Sequence, residues 1–281
     1  MLKEIRKGDY AAQFDVERGM NFVTFKKGVI EALDLSTRPL FEQRFAGLGA
    51  LIGPHFHHRQ HPPSFDDASI FPHIASLKER GEKEFFSHGI GRYVAWDVKS
   101  ANEQSIEAHL NGDMEIQGVP LKVIEGQDFK MKYIATMLEE GLQIELFVAG
   151  EGPTVVGLHT YYAMGKKGTV TSNVKPVYNV GGEFRALPEE WDYKESKLVY
   201  PIKSETDYGF LSTDPLQGDV LLQTTTHKIR MQYWSTNEEA SWQLWHPKES
   251  SFVCVEPIAA KNPRKPCLSV NQIKIVISII P

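Results

Sequence analysis

The sequence predicts an all-β protein: one large antiparallel β-sandwich with one or two short helices, a single domain over residues 1–281. Three observations carry that expectation. Apolar and polar residues alternate along short runs, the signature of half-buried strands. The 22 Gly and 16 Pro cut these runs every few residues, which suits tight turns better than long helices. The 3.6-residue apolar period of an amphipathic helix is almost entirely missing, and many short strands with little helix imply a sandwich or barrel.

The elements follow in order. Asn21-Phe22-Val23-Thr24-Phe25 alternates, Lys26-Lys27-Gly28 turns, and residues 29–35 return, giving a hairpin. Pro72 opens a short helix that turns Ile74 and Leu77 inward and ends at Gly81. Residues 106–110 pair with 114–116 across Asn111-Gly112-Asp113, and 133–138 with 143–148 across Glu139-Glu140-Gly141. Further strands are expected at 155–162, 198–202, 220–225, 228–234, 242–245 and 252–256, with a turn somewhere in 183–191. The final apolar run, 273–280, is too short to cross a bilayer and reads as a buried last strand. No repeat and no low-complexity linker divides the chain.

Composition narrows the function. With 31 Lys+Arg against 36 Asp+Glu, the net charge is −5, which argues against a nucleic-acid partner held by phosphate neutralisation. The charged start Met1-Leu2-Lys3-Glu4-Ile5-Arg6 is unlike a signal peptide, and two cysteines, Cys254 and Cys267, are too few for a disulfide scaffold. A reduced, cytoplasmic setting without membrane attachment is the expectation.

Four segments carry residues capable of chemistry. On a strand, Phe252, Cys254 and Glu256 share one face while Val253 and Val255 take the other. Pro257 extends Glu256 and is expected to end the ladder. A carboxyl between Phe and Cys is partly desolvated, which raises its pKa toward that of a usable general base; a solvated strand end is the plainer alternative. His159 and Tyr161 share a face in Gly157-Leu158-His159-Thr160-Tyr161-Tyr162, where a histidine among apolar neighbours is either structural or catalytic. In Ser87-His88-Gly89-Ile90-Gly91-Arg92 the glycines allow close approach of a ligand and Arg92 offers a donor fork, but the spacing is not that of a dinucleotide or phosphate loop. The run Gly53-Pro54-His55-Phe56-His57-His58-Arg59-Gln60-His61 is rich in histidine. His55 and His57 on a strand would share a face, but the next acids, Asp66 and Asp67, lie beyond Pro62-Pro63, so a metal-dependent enzyme lacks its ligand pattern.

Taken in order, these segments resemble the aldose 1-epimerase (galactose mutarotase-like) family. Residues 49–59, ending His58-Arg59, look like its early segment ending in Asn-Arg, and His88-Gly89 with Arg92 and Trp96 is similar to its His-Gly motif, especially in the hexose-6-phosphate epimerase branch. His159-Thr160-Tyr161-Tyr162 resembles its His-Thr-Tyr-Phe strand. Asp207-Tyr208-Gly209-Phe210 sits where the family has a sugar-binding Asp. Trp245-His246-Pro247 and Val255-Glu256-Pro257 resemble its Trp-Asn-Pro and Val-Glu-Pro.

The resemblance implies a β-supersandwich with the sugar on a concave sheet face. It implies a mutarotase that interconverts α and β anomers by opening the ring, with Glu256 as base and His159 as acid, and with no metal or redox cofactor. His88 would bind near the anomeric end, and Arg59, Asp207, Arg92 and His58 would meet the rest of a sugar or sugar phosphate. A monomer or weak dimer is expected. The departures are His58 for the family's Asn, His246 for the Asn of Trp-Asn-Pro, and an altered segment from His61 to Phe86. The alternatives are a hexose-6-phosphate 1-epimerase, in which Arg59 and Arg92 converge on an anion, a non-catalytic carbohydrate-binding protein of the same fold, and a metal enzyme using the 55–61 histidines.

Overall fold

A computed structural model describes residues 1–281. Two antiparallel sheets wrap one apolar core. The first runs, strand beside strand, Leu2–Lys7, Tyr10–Asp15, Asn21–Lys27, Gly49–Ile52, Gly157–Ala163, Phe252–Ala259, Ala240–His246 and Thr206–Ser212. The second runs Asp97–Ala101, Ser105–Asn111, Phe129–Met137, Leu142–Gly150, Val270–Ile280, Lys228–Ser235 and Gln217–Gln223. The 13-residue strand Gly168–Val180 belongs to both. Its first half pairs with Gln217–Gln223 and Lys197–Ile202, its second with Thr206–Ser212 and Glu183–Ala186, through a register shift between Val174 and Tyr178. The predicted large antiparallel sandwich is the architecture observed.

Alternation explains which residues fill the core. Phe129–Met137 and Leu142–Gly150 bury every second side chain, as half-exposed strands do. Gly157–Ala163, Ala240–His246 and Phe252–Ala259 are buried almost throughout. One face of these strands packs into the core with Leu158, Tyr162, Val253 and Val255. The other face lies under a cap formed by residues 35–47 and 53–93, on either side of the Gly49–Ile52 strand, and polar side chains collect there.

That cap contains the first two of three short helices, α1 (Arg38–Arg44), α2 (His73–Glu79) and α3 (Leu121–Glu125). α2 is the predicted helix: Pro72 precedes it, Ile74 is buried, Leu77 packs on the core, and Gly81 follows with φ +75°. α1 and α3 were not expected, so the helices number three rather than one or two. An aromatic cluster joins the cap: His73 stacks on Tyr93 at 5.0 Å between ring centres, and Phe45 lies 5.3 Å from Tyr93 and 5.8 Å from His73.

Two local expectations fail. Residues 106–110 do not pair with 114–116; Ser105–Asn111 pairs with Phe129–Met137 instead. The Asn111 side chain accepts hydrogen bonds from the N–H groups of Asp113 and Met114, which starts a turn, and 115–116 pairs with 119–120 across Gln117-Gly118. Pro257 does not end its strand, which continues to Ala259. Within 183–191, Glu183–Ala186 is a strand, returned against Gly168–Val180 by Gly181-Gly182 at φ +62° and +91°, and the expected turn follows it at 188–191, where the Trp191 N–H bonds the Pro188 carbonyl at 3.1 Å. The last strand is central, lying between Leu142–Gly150 and Lys228–Ser235.

Candidate active site

Strand register creates the site. Glu256 lies opposite Gln243 on the neighbouring strand. On its other side, Gly157 pairs with Ile258 and Thr160 with Val255, which puts His159 opposite Glu256. The ladder is interrupted there: Pro257 has no N–H to give. Glu256 therefore sits between Gln243 and His159 on the covered face, and its Oε1 lies 3.3 Å from His159 Nε2. One pair along, Tyr161, Cys254, Trp245 and Asp207 face one another across four strands.

Burial sets the protonation states. Glu256 is 2% exposed and His159 6%. Loss of water pushes the Glu256 carboxyl up to about 8, reinforced by Asp207 and opposed by Arg92 and Arg264. Burial, with Arg92 nearby, holds His159 well below its ordinary value. His88 is held down by the same two causes, and His57 is lowered to about 4 by burial and then Arg264. At neutral pH the pair thus shares one proton, resting on Glu256, while His159 is neutral with a buried Nδ1 that has no partner. His88 accepts the His57 N–H at Nδ1 over 3.4 Å, so its Nε2 carries the proton and is the donor.

These groups line a cavity of about 270 Å³, bounded on the sheet side by His159, Tyr161, Asp207, Gln243, Trp245 and Glu256. Its other walls come from the cap, including Arg44, Phe56, His57, His58, His88 and Arg92, and from Arg264. Arg264 lies 3.6 Å from Asp207 and 5.6 Å over the Phe56 ring. His159 stands edge-on to His88 at 5.0 Å and to Trp245 at 5.6 Å.

Six of the seven residues singled out from the sequence therefore meet at one cavity: Glu256, His159, His88, Asp207, Arg92 and His58. Arg59 does not. Its Nε donates to Glu84 at 2.6 Å, its Nη2 to the other Glu84 oxygen at 3.0 Å, and its Nη1 to the Glu125 carbonyl. His55 enters the same buried cluster, with Nδ1 2.7 Å from Glu125. Convergence of Arg59 with Arg92 on an anion is accordingly replaced by a structural ion cluster. His55 and His57 also do not share a face: residues 53–60 form no strand, His57 has φ +55°, and the two rings go to different places. The 55–61 histidines do not converge on one point.

The glycines of 88–91 serve a different purpose from the one expected. A side-chain carbon on Gly89, at φ +90°, would lie 2.2 Å from the Gly53 carbonyl carbon, and one on Gly91 2.8 Å from its oxygen. Glycine here admits the 53–54 backbone rather than a ligand, and bonds from Gly53 N to His88 O and Gly91 N to Gly53 O join the two loops.

Sequence reasoning missed Gln243, Trp245 as a cavity wall, Arg44 and Arg264. Gln243 had a signal, since it shares a face with Trp245 two residues on. Arg44 and Arg264 had none, because each arrives from a distant loop or helix end. The ligand atoms of His159, Cys254 and Glu256 lie within 4.8 Å of one another, a set with metal-ligand chemistry. Arg44, Arg92 and Arg264 on the same cavity set a positive field against a dication there.

No protein-family model matches the sequence, and no curated protein matches it. Solved structures do. A candidate aldose 1-epimerase of Escherichia coli K12 matches with a TM-score of 0.70 at 12% identity, over 99% of this chain and 98% of its own. A galactose mutarotase-like protein of Lactobacillus casei ATCC 334 gives 0.69 at 12%, over 99% and 100%. Another from Clostridium acetobutylicum gives 0.68 at 14%, over 99% and 98%. The chain therefore has the fold of those proteins along essentially its whole length.

Proposed function

We propose, from this mutarotase-like fold and the dry Glu256–His159 pair within it, that the chain is an aldose 1-epimerase acting on a small aldose without a cofactor. The observation that carries the reading is the 3.3 Å approach of His159 Nε2 to Glu256 Oε1 in a sugar-sized cavity. The hydroxyl at C1 and the ring oxygen are bonded to the same carbon. An acid and a base serving both must be neighbours, as these two are.

In the forward step Glu256 removes the proton of the C1 hydroxyl while His159 delivers one to the ring oxygen. The bond from C1 to the ring oxygen breaks, its electron pair going to that oxygen, and C1 becomes an aldehyde. Rotation about C1–C2 presents the other face, and both transfers reverse. The pair reacts as carboxylate and imidazolium, reached from its resting form when the shared proton passes from Glu256 to His159 across 3.3 Å, and holds the open aldehyde as carboxylic acid and imidazole. Burial favours that neutral combination, so desolvation lowers the cost of the open form. The Nε2–H of His88 is available to an oxygen at the anomeric end. Trp245 and Tyr161 offer apolar faces to the ring, while Asp207 and Gln243 take hydroxyls.

The test is optical rotation of freshly dissolved α-D-glucose and other aldoses. Glu256→Gln keeps the shape and the neutral charge of the resting carboxyl. It is expected to bind sugar but to lose about 10²–10⁴ of the catalysed rate. A near-normal rate in that variant would remove Glu256 from the chemistry.

A further inference from the structure

A second cavity, of about 1020 Å³, has no lining residue in common with the one that holds Glu256. Three strand connections wall it: one after Gly157–Ala163, one after Lys197–Ile202 and one after Ala240–His246. Its volume is at the upper end for small-molecule and cofactor sites. Charge in it is uneven. Lys166, Lys167, Lys203 and Lys248 all line it, all are exposed, and none is paired with a carboxylate, whereas Lys78, Lys122 and Lys265 each hold one. Lys83 and Lys130 are also unpaired, but they stand singly, and here four ammonium groups surround one hollow. Glu205 and Glu249 on the same walls offset two of these charges and leave two uncompensated.

One buried side chain reaches this space, His246, where the sequence departs from Trp-Asn-Pro. It follows Trp245 directly on a strand, so it takes the sheet face opposite the Glu256 cavity. It is only 5% exposed. Its Nδ1 lies 2.8 Å from the Phe252 carbonyl and 3.0 Å from Ser250 Oγ. A carbonyl only accepts, so Nδ1 carries a proton and donates, and the neutral ring has its lone pair at Nε2. That Nε2 bonds to nothing in the protein and is not sealed from the cavity. The turn under the ring is fixed: Ser250 Oγ reaches the Phe252 carbonyl at 2.9 Å, and Ser251 Oγ donates to Asp34 at 2.5 Å. A held nitrogen without a partner, ringed by uncompensated cations, matches phosphate. A P–OH donates to Nε2, or a protonated ring donates to a phosphate oxygen, while the lysines neutralise the other oxygens.

We infer that this cavity is a second binding site, for an oligophosphate chain, either inorganic or borne by a nucleoside. Lys166, Lys167, Lys203 and Lys248 supply the counter-charge, and His246 Nε2 supplies the directed contact. A chain of two or three phosphates suits four cations spread over three connections, where a single phosphate would meet only some of them. The site is separate from the sugar chemistry and does not depend on it.

The experiment is titration calorimetry of the full-length protein with inorganic phosphate, inorganic tripolyphosphate and ATP. Tripolyphosphate or ATP is expected to bind one site per chain at least about 10-fold more tightly than phosphate, through several exposed charge contacts acting together. Tighter binding of ATP than of tripolyphosphate identifies the nucleoside-borne chain, and the reverse order the inorganic one. The quadruple variant Lys166→Gln, Lys167→Gln, Lys203→Gln, Lys248→Gln is expected to lose about 10–100-fold in affinity. The control pair Lys83→Gln, Lys130→Gln, outside the cavity, is expected to change it by less than about 2-fold, since salt screens distant charges. His246→Asn is expected to weaken binding by about 3–10-fold, the range of one hydrogen bond; should that variant fail to fold, the exposed lysines decide. No binding of either oligophosphate by the wild type overturns the inference. So does affinity unchanged in the quadruple variant, or an equal loss in the control pair. Sugar turnover is not the readout, so failure of the mutarotase reading leaves this site standing.

Discussion

Glu256 and His159 work as one titrating unit, so their pH dependence belongs to the pair. In the proposed mechanism the active form holds a single proton. Losing it inactivates the base–acid couple, and because burial raises Glu256 to about 8, activity falls above about that pH rather than above the usual carboxylate range. Gaining a second proton requires charging His159, which burial holds well down, so the acid limb lies below about pH 6.5, the ordinary histidine value. A kcat/KM profile corrected for the spontaneous reaction should be flat between those limbs. A rate still rising through pH 9 would contradict the assignment.

At the scale of elements, the loops that carry His57 and His88 are held by the ion cluster of His55, Arg59, Glu84 and Glu125. Glu84 also accepts from the Phe86 N–H at 3.0 Å, and Glu125 from the Ile90 N–H at 3.0 Å. Arg59→Ala would leave two carboxylates, 3% and 2% exposed, without their principal cation. Breaking a buried pair in this way costs about 3–5 kcal/mol, readable as a lowered urea midpoint. A loss near zero would show that water replaces the guanidinium. The resemblance of residues 49–59 to a family segment ending in Asn-Arg placed Arg59 on the substrate; its partners Glu84 and Glu125 lie 25 and 66 residues away.

Across the whole molecule, stability depends on strands distant in sequence. Val270–Ile280 bonds on one side to Leu142–Gly150 and on the other to Lys228–Ser235, and its Ile277 is fully buried opposite Leu142 and Met231. Ile277→Ala is expected to cost about 2–5 kcal/mol in a chemical unfolding transition, the range for a large core aliphatic. A change below about 1 kcal/mol would mean that the core there collapses around the missing atoms. The long Gly168–Val180 strand joins the two sheets into one sandwich, so a loss in one is expected to lower the stability of both.

The sequence by itself determined the all-β class, most of the strands, helix α2, the sheet faces of Glu256 and His159, and the desolvated character of the carboxyl. These follow from local alternation and nearest neighbours, which the chain states directly. It did not determine that Ser105–Asn111 pairs with Phe129–Met137, that Arg59 is drawn into a buried cluster, or that Arg44 and Arg264 reach the cavity. Each of those depends on which distant segments become neighbours once the two sheets close, and that is decided by burying the core as a whole rather than by any one stretch of residues.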